Sequence, residues 1–592
     1  MATFINPYAF VSFKNVEDRK TIDDLLKEKT YSGSFEYTIE LKTPLIIPNT
    51  SSDKFNIDNE VSKSYGIYSY EDLTNKNKQS NEYKPVIPGS EIRGCIRSVY
   101  EALTNSCYNF NKDNDLYFSE RVDAKNSYKP GVLLYNELSG KWELYEANKY
   151  NIKGYRLDDE NYNSKVNISN EQFYMFEKVY GSLKEEDDKN INGKNINKIY
   201  FENISKNKGE KEGYLTIGNK GLKEHTCVSV FIKKDPSLLT ITKDDRNYKR
   251  LRESIKTFVD KDLNCTYQRY LNAINECKTI TIYYDENIKG NFRFSPAQIG
   301  RILYNRSLYD LVEDSKYCTD KLLCPACLMF GNINENNSIA GRVRFCDVIL
   351  ENYNYENSKY IDLISGSPKY SNKYFYAELK PENIQKDWDN IFSIAGRKFY
   401  WHHEPNINEI KNKVSQNDNS KLKSRYYYID NNNLNKNDIK GKIYFNDLTK
   451  KEILMLYKTI SLVDDNHCHK LGHGKPFGFG SCNFTVISLK SEGLNLDEIK
   501  NEVSWDDTLT NKELEYIFDF NALSKYKAQV NYPFIEDPNE EGFKWFVENK
   551  KTNKKQLPPL IEKNGRKPSS PVLRCRESQP VNNINNYNKK WK

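Results

Sequence analysis

Between Leu471 and Gly480 the chain reads Leu-Gly-His-Gly-Lys-Pro-Phe-Gly-Phe-Gly, with glycine at four of ten positions. Glycine at this density neither continues a helix nor fills the middle of a strand, so the run must bend. Directly after it, Cys482-Asn483-Phe484-Thr485-Val486 alternates as a strand does. Any fold for this chain therefore has to deliver a tight glycine bend into a sheet. Gly472, Gly474, Gly478 and Gly480 leave backbone amides uncovered and let a polyanion approach closely. Lys475 and His473 add polar groups, and Phe477 and Phe479 either pack beneath the turn or stack on bases. A plain bend feeding an edge strand has the same composition, so the rest of the chain decides between them.

Other segments carry clear periodicity. Phe35–Leu41 alternates as a strand and runs into Thr43-Pro44-Leu45. Pro88-Gly89-Ser90 precedes an amphipathic run to Leu103, which predicts a helix with Ser90 as N-cap. Ile92, Ile96, Val99 and Leu103 fall on one face of that helix, and Arg93 and Arg97 share another. Gly89 and Ser90 at the helix entrance, with two arginines a turn apart, suit an anion. Gly341–Val348 predicts a strand with Val343 and Phe345 inward and Arg342 and Arg344 outward. Lys451–Val463 predicts a helix, and Arg397-Lys398-Phe399-Tyr400 a basic aromatic surface.

Between these segments lies apparently inserted material, residues 108–317. A hairpin is expected from Gly131–Tyr135 and Lys141–Tyr145, a strand at Thr279–Tyr284, and a short helix after Phe292–Ser295. Tyr150–Lys220 is rich in charge and asparagine and reads as loops. The resulting division is 30–107, 108–317, 318–490 and a C-terminal extension, 491–592, with a basic tail.

Composition narrows the function classes. Aromatic residues make up 13% of the 592, enough for real cores despite a hydrophobic content of 38%. The formal charge of +7 permits a nucleic-acid partner without demanding one. No stretch approaches a membrane span, no signal peptide is recognisable, and the twelve cysteines lack framework spacing, so a reducing, cytoplasmic setting is expected. Walker A, dinucleotide and Ser/His/Asp signatures are absent, which argues against ATP hydrolysis and hydride transfer. Cys324-x2-Cys327 has the knuckle spacing of a thiolate metal site, with Cys318 six residues earlier. The fourth ligand is open among Cys346, Cys227, His225 and Cys107, and a structural Zn2+ is the expected occupant.

Taken in order, Thr43-Pro44-Leu45, Ile87-Pro88-Gly89-Ser90-x2-Arg93-Gly94-x2-Arg97, Cys324-Pro325-Ala326-Cys327-x2-Phe330-Gly331, Gly341-Arg342-Val343-Arg344-Phe345-x-Asp347 and the loop at 472–480 resemble the RAMP superfamily of CRISPR effector subunits. The large members of type III systems are the nearest in pattern. The resemblance implies an α+β fold with a ferredoxin-like, RNA-recognition-like core interrupted by insertions. It implies a guide CRISPR RNA, a complementary target RNA and other effector subunits as partners. Its RNA contacts would be Gly89, Ser90, Arg93, Arg97, Arg342, Arg344, Arg397, Lys398, Gly472, His473, Gly474, Lys475, Gly478 and Gly480. Some relatives cut target RNA through an aspartate after the first strand, for which Asp53 is the nearest match. That alternative is an endoribonuclease using Mg2+ or Mn2+. The usual glycine-rich continuation after Leu45 is replaced here by Ile46-Ile47-Pro48-Asn49. A third reading is a protein adaptor that keeps the core without RNA contact.

Overall fold

The computed structural model describes residues 7–11, 13, 19–50, 61, 63–70, 84–108, 117–121, 128–156, 165–168, 171–189, 195–217, 227–259, 266–288, 291–298, 301–312, 318–319, 322–333, 338–354, 357–365, 376, 394–415, 423–434, 439–462, 464–503 and 518–520. The chain divides into two compact units, one of residues 1–115 with 308–592, the other of residues 116–307.

The first unit is built on a five-stranded antiparallel sheet. Its elements in chain order are β1 (Thr30–Leu41), α1 (Gly89–Leu103), α2 (Pro325–Phe330), β2 (Val343–Phe345), β3 (Lys440–Thr449), α3 (Lys450–Ser461), β4 (His469–Lys470) and β5 (Ser481–Ser491). Across the sheet the order is β2-β3-β1-β5-β4. Leaving aside α2 and the short β4, the succession is strand, helix, strand, strand, helix, strand. Register places Phe35 opposite Ile443 and Leu489, and Arg344 opposite Tyr444.

Period-two burial explains why β1 takes its place. Phe35, Tyr37, Ile39 and Leu41 are buried in one core with Ile92, Ile96 and Tyr100 of α1 and Ile453, Leu456 and Ile460 of α3. Burying side chains of this size contributes about 1.5–3 kcal/mol each. The helix α3 opens on a reciprocal cap, Thr449 Oγ1 taking the Glu452 N–H while Glu452 takes that of Thr449. The expected strand at Val343 and helix at 451–463 are both present. The N-cap of α1, however, is Pro88 and not Ser90, and no side chain caps it in the usual way.

The second unit has a nine-stranded sheet in which strand Lys141–Arg156 does double duty. Its first half pairs with Lys129–Asn136 and Leu239–Ile241. Its second half pairs with Cys227–Lys233 and, in parallel, with Asn195–Ser205. Following neighbours from Cys227–Lys233 through Lys211–Ile217 and Lys178–Lys189 to Asn195–Ser205 returns to the starting strand. Five strands thus close a ring, which removes their edges. Phe173, Phe201, Leu215, Val228 and Val230 share one apolar cluster there. Helices Arg246–Val259 and Thr266–Asn275 pack on the open half through Leu251, Ile255, Tyr270 and Ile274.

Two expectations for this region need correction. Among the described residues Tyr150–Lys220 is dominated by strands, which the pattern hides because neighbouring polar residues such as Lys184-Glu185, Asn197-Lys198 and Lys211-Glu212 are both exposed and leave no period of two. Residues 296–298 are a bend and not the start of a helix, and Ile299 lies outside the described residues; the next element is strand Arg301–Ser307.

Candidate nucleic-acid interface and metal centre

The entrance of α1 and the glycine run converge. Glu91, in the first turn of α1, accepts the Gly472 N–H at 2.9 Å through Oε1. Gly472, Gly474, Gly478 and Gly480 all have positive φ, between 73° and 100°. A Cβ on Gly480 would lie 1.8 Å from the Leu471 carbonyl oxygen, so only glycine fits. The His473 and Gly480 amides donate to the carbonyls of Ile46 and Pro44 at 2.7 and 2.8 Å. Phe477 and Phe479 are buried, which assigns them to packing beneath the turn.

The helix entrance already holds an anion of the protein's own. Gly89 N–H donates to Asp347 Oδ1 at 2.6 Å, and the Tyr70 hydroxyl donates to Oδ2. A side chain on Gly89 would collide with the Phe345 carbonyl, 2.3 Å from its Cβ position. The positive end of the α1 dipole is therefore compensated internally, while Ser90 remains exposed beside it.

The basic residues sort into two kinds. Arg342 is held by Glu452 on α3 and by the carbonyls of Leu328 and Asp447. Arg397 pairs with Glu101 at 2.9 Å and donates to the Ser106 and Cys107 carbonyls. Both are paired internally, with side chains 17% and 11% exposed. Lys398 lies over the rings of Tyr8 and Tyr400. Arg97 pairs with Glu101, and the Arg93 and Arg97 guanidinium carbons each lie 5.7 Å from the centroid of Phe330. Burial, then the neighbouring Arg97 charge, lowers the Arg93 pKa from its ordinary value. Arg93 and Arg97 thus face α2, whereas Glu91 and Cys95 face the glycine loop. Among the described residues, Lys475 and Arg344 have no acidic partner. The His473 ring lies 4.7 Å from that of Tyr426, and burial lowers its pKa.

Four cysteines meet behind this surface. Cys107, Cys318, Cys324 and Cys327 bring their Sγ atoms within 4.8 Å of one another. Cys107 Sγ is 3.5 Å from that of Cys327 and 3.6 Å from that of Cys324. A tetrahedral thiolate site with metal–sulfur bonds of about 2.3 Å has sulfur–sulfur edges of about 3.8 Å. The spacing suits a metal such as zinc, and Cys107 joins the three cysteines that the sequence singled out. Cys346 is outside the cluster, and His225 lies outside the described residues. Hydrogen bonds from the other three thiols hold the Cys324 thiol well below its ordinary pKa. Ser106 Oγ accepts the Ala326 N–H at 3.0 Å, and Arg397 grips the Cys107 carbonyl. These bonds set Cys107 against the knuckle.

The sequence matches the RAMP superfamily over residues 38–483, about three quarters of the chain. The chain belongs to that superfamily. No curated protein matches it. The match begins within β1 and ends within β5, so it frames the sheet, the α1 entrance and the glycine loop. Membership makes this RAMP protein CRISPR-associated and RNA-binding in class. Among the described residues no helix is long and apolar enough to cross a membrane.

Sequence reasoning did not find the polar set beneath the RAMP glycine loop. Lys470 Nζ donates to Ser481 Oγ at 2.7 Å and to the Gly478 carbonyl at 3.2 Å. His402 Nδ1 meets the same Ser481 oxygen at 3.0 Å, and Thr43 Oγ1 donates to the Gly478 carbonyl at 2.8 Å. Tight surroundings lower the Lys470 pKa to about 7. The sequence signal was the crowding of three of the six histidines, His467, His469 and His473, beside the glycine run. Asp53, the candidate catalytic residue, lies outside the described residues.

Proposed function

We propose that this chain is a guide-RNA-binding structural subunit of a type III-like effector ribonucleoprotein in antiviral defence. The observation that carries the reading is the superfamily match running from within β1 to within β5. Two features support it. The strand-helix-strand-strand-helix-strand succession, ordered fourth, first, third, second across the sheet, is that of a ferredoxin-like core. The exposed Ser90, the uncompensated Lys475 and the glycine bend stand together at one end of α1. The Lys475 charge and the exposed Ser90 suit phosphate, the Gly89, Gly472 and Gly480 amides being taken internally, and guide–target base pairing is left to supply sequence specificity. The sulfur cluster is read as a structural Zn2+ site. A closed four-thiolate shell stabilises folding without activating water.

The test is binding of a labelled guide RNA to the full chain, titrated with salt. Lys475→Ala should weaken binding and reduce the slope of log affinity against log salt by about one. Absence of salt-sensitive binding by the wild type, alone or with other effector subunits, would favour the adaptor reading. Adding complementary target with Mg2+ or Mn2+, and comparing Asp53→Ala, tests the nuclease alternative in the same experiment.

A further inference from the structure

The face of the β1–β5 sheet turned away from α1 and α3 carries a row of side chains across four strands. Arg344 of β2 stands opposite Tyr444 of β3, Tyr444 opposite Ser34 of β1, and Ser34 opposite Lys490 of β5. With strands about 4.8 Å apart, the row spans roughly 14 Å. Tyr444 is 43% exposed although it sits mid-strand, flanked by the buried Ile443 and Phe445. Arg344 is exposed, with no acidic partner among the described residues, unlike Arg342, Arg397 and Arg425, which all have one. In the next row, Glu36 is matched by two cations, Lys490 at 2.9 Å and Lys442 at 3.7 Å. Lys442 Nζ also lies 4.7 Å from the Tyr444 ring centroid.

We infer that this open face binds single-stranded RNA, one base stacking on Tyr444 while Arg344 and Lys490 take the flanking phosphates. The inference rests on the RNA-binding reading above and adds a second contact surface, separate from the glycine loop. Its chemistry is that of a stacking platform in a positive setting: an exposed aromatic ring on a sheet face, a guanidinium beside it with no acidic partner among the described residues, and the Glu36 carboxylate matched by two lysines.

The experiment measures fluorescence anisotropy of a labelled single-stranded RNA with the full chain. Tyr444→Ala, Tyr444→Phe, Arg344→Ala and Lys475→Ala are compared with the wild type, and folding is checked by circular dichroism. Tyr444→Ala should weaken binding about ten-fold or more, since a stacked base contributes roughly 1–3 kcal/mol. Tyr444→Phe should restore most of it, because stacking needs the ring and not the hydroxyl. Arg344→Ala should reduce the salt slope by about one. Wild-type binding that Tyr444→Ala and Arg344→Ala leave unchanged, while Lys475→Ala weakens it, overturns the sheet-face site and keeps the general reading. No binding by the wild type removes both. Self-association of the wild type by light scattering, lost in Tyr444→Ala with RNA affinity intact, overturns the proposal in favour of a contact between copies.

Discussion

Asp347 Oδ1 accepts the Gly89 N–H at 2.6 Å across 258 positions of sequence, so the carboxylate after β2 occupies the entrance of α1. A helix entrance that already holds a carboxylate admits a phosphate only if the carboxylate withdraws or the phosphate binds beside it. Asp347→Ala should therefore cost about 1–2 kcal/mol of stability, by analogy with lost helix caps. The same variant should bind guide RNA more tightly, because one like charge is gone and the first-turn amides are open. Denaturant unfolding and RNA titration check the two halves; weaker binding by a folded variant would contradict the second.

The metal reading predicts one equivalent of zinc in protein purified without chelator, measured by mass spectrometry of the metal content. Cys107→Ser should reduce that equivalent and lower the melting temperature, as should Cys324→Ser. Cys346→Ser, outside the cluster, should do neither. A wild type free of metal, with a melting temperature indifferent to added zinc, would rule the centre out.

Arg342 and Glu452 make a two-pronged pair with side chains 17% and 12% exposed. Glu452 also caps α3, so a single Glu452→Ala change overstates the ion pair. A double-mutant cycle with Arg342→Ala separates the two effects. The coupling should be about 2 kcal/mol, above the range for exposed pairs. A value near zero would show that Arg342 acts through its carbonyl contacts alone.

Acid should destabilise the first unit through its buried imidazoles. His469 is 1% exposed, its Nε2 3.0 Å from the Ile460 carbonyl oxygen, and burial lowers its pKa from 6.5 to about 4. The unfolded chain then binds the proton first. The contribution of neutral His469 is complete above about pH 6.5 and is lost as pH falls towards 4, to a total of about 3 kcal/mol. His402, also pushed well below its ordinary value by burial, adds in the same direction. His469→Gln should flatten this limb in unfolding measured from pH 4 to 7. Lys470 works at the other end. Because its pKa drops from 10.5 to about 7, stability should rise between about pH 7 and 10.5. Lys470→Met should remove that rise.

Local pattern carried the sheet elements well. Phe35, Tyr37, Ile39 and Leu41 alternate because one face of β1 is buried, and the hairpin through Gly131–Tyr145 is equally regular. The ring strands of the second unit were harder to see. Lys184, Glu185 and Asp187 present charge to solvent without a period of two, and their partners are fixed by pairing with distant strands and not by local preference. The helix entrance misled for a related reason. Ser90 is the right residue type for a cap, but Asp347 arrives from far along the chain and takes the amide first. Cys107 was one of four candidates until folding brought it within 3.5 Å of Cys327.

That last contact spans 220 positions, and the whole second unit lies between its two ends. The sulfur cluster therefore acts as a clasp at the neck of a very long excursion. Fixing the neck leaves the rest of the first unit with short connections to close, as though the excursion had been spliced out. A protease cut within residues 116–307 would leave two pieces held by the pairing of β1 with β3 and β5 as well as by the clasp. The inserted unit can then vary in length and sequence at little cost to the β1–β5 sheet.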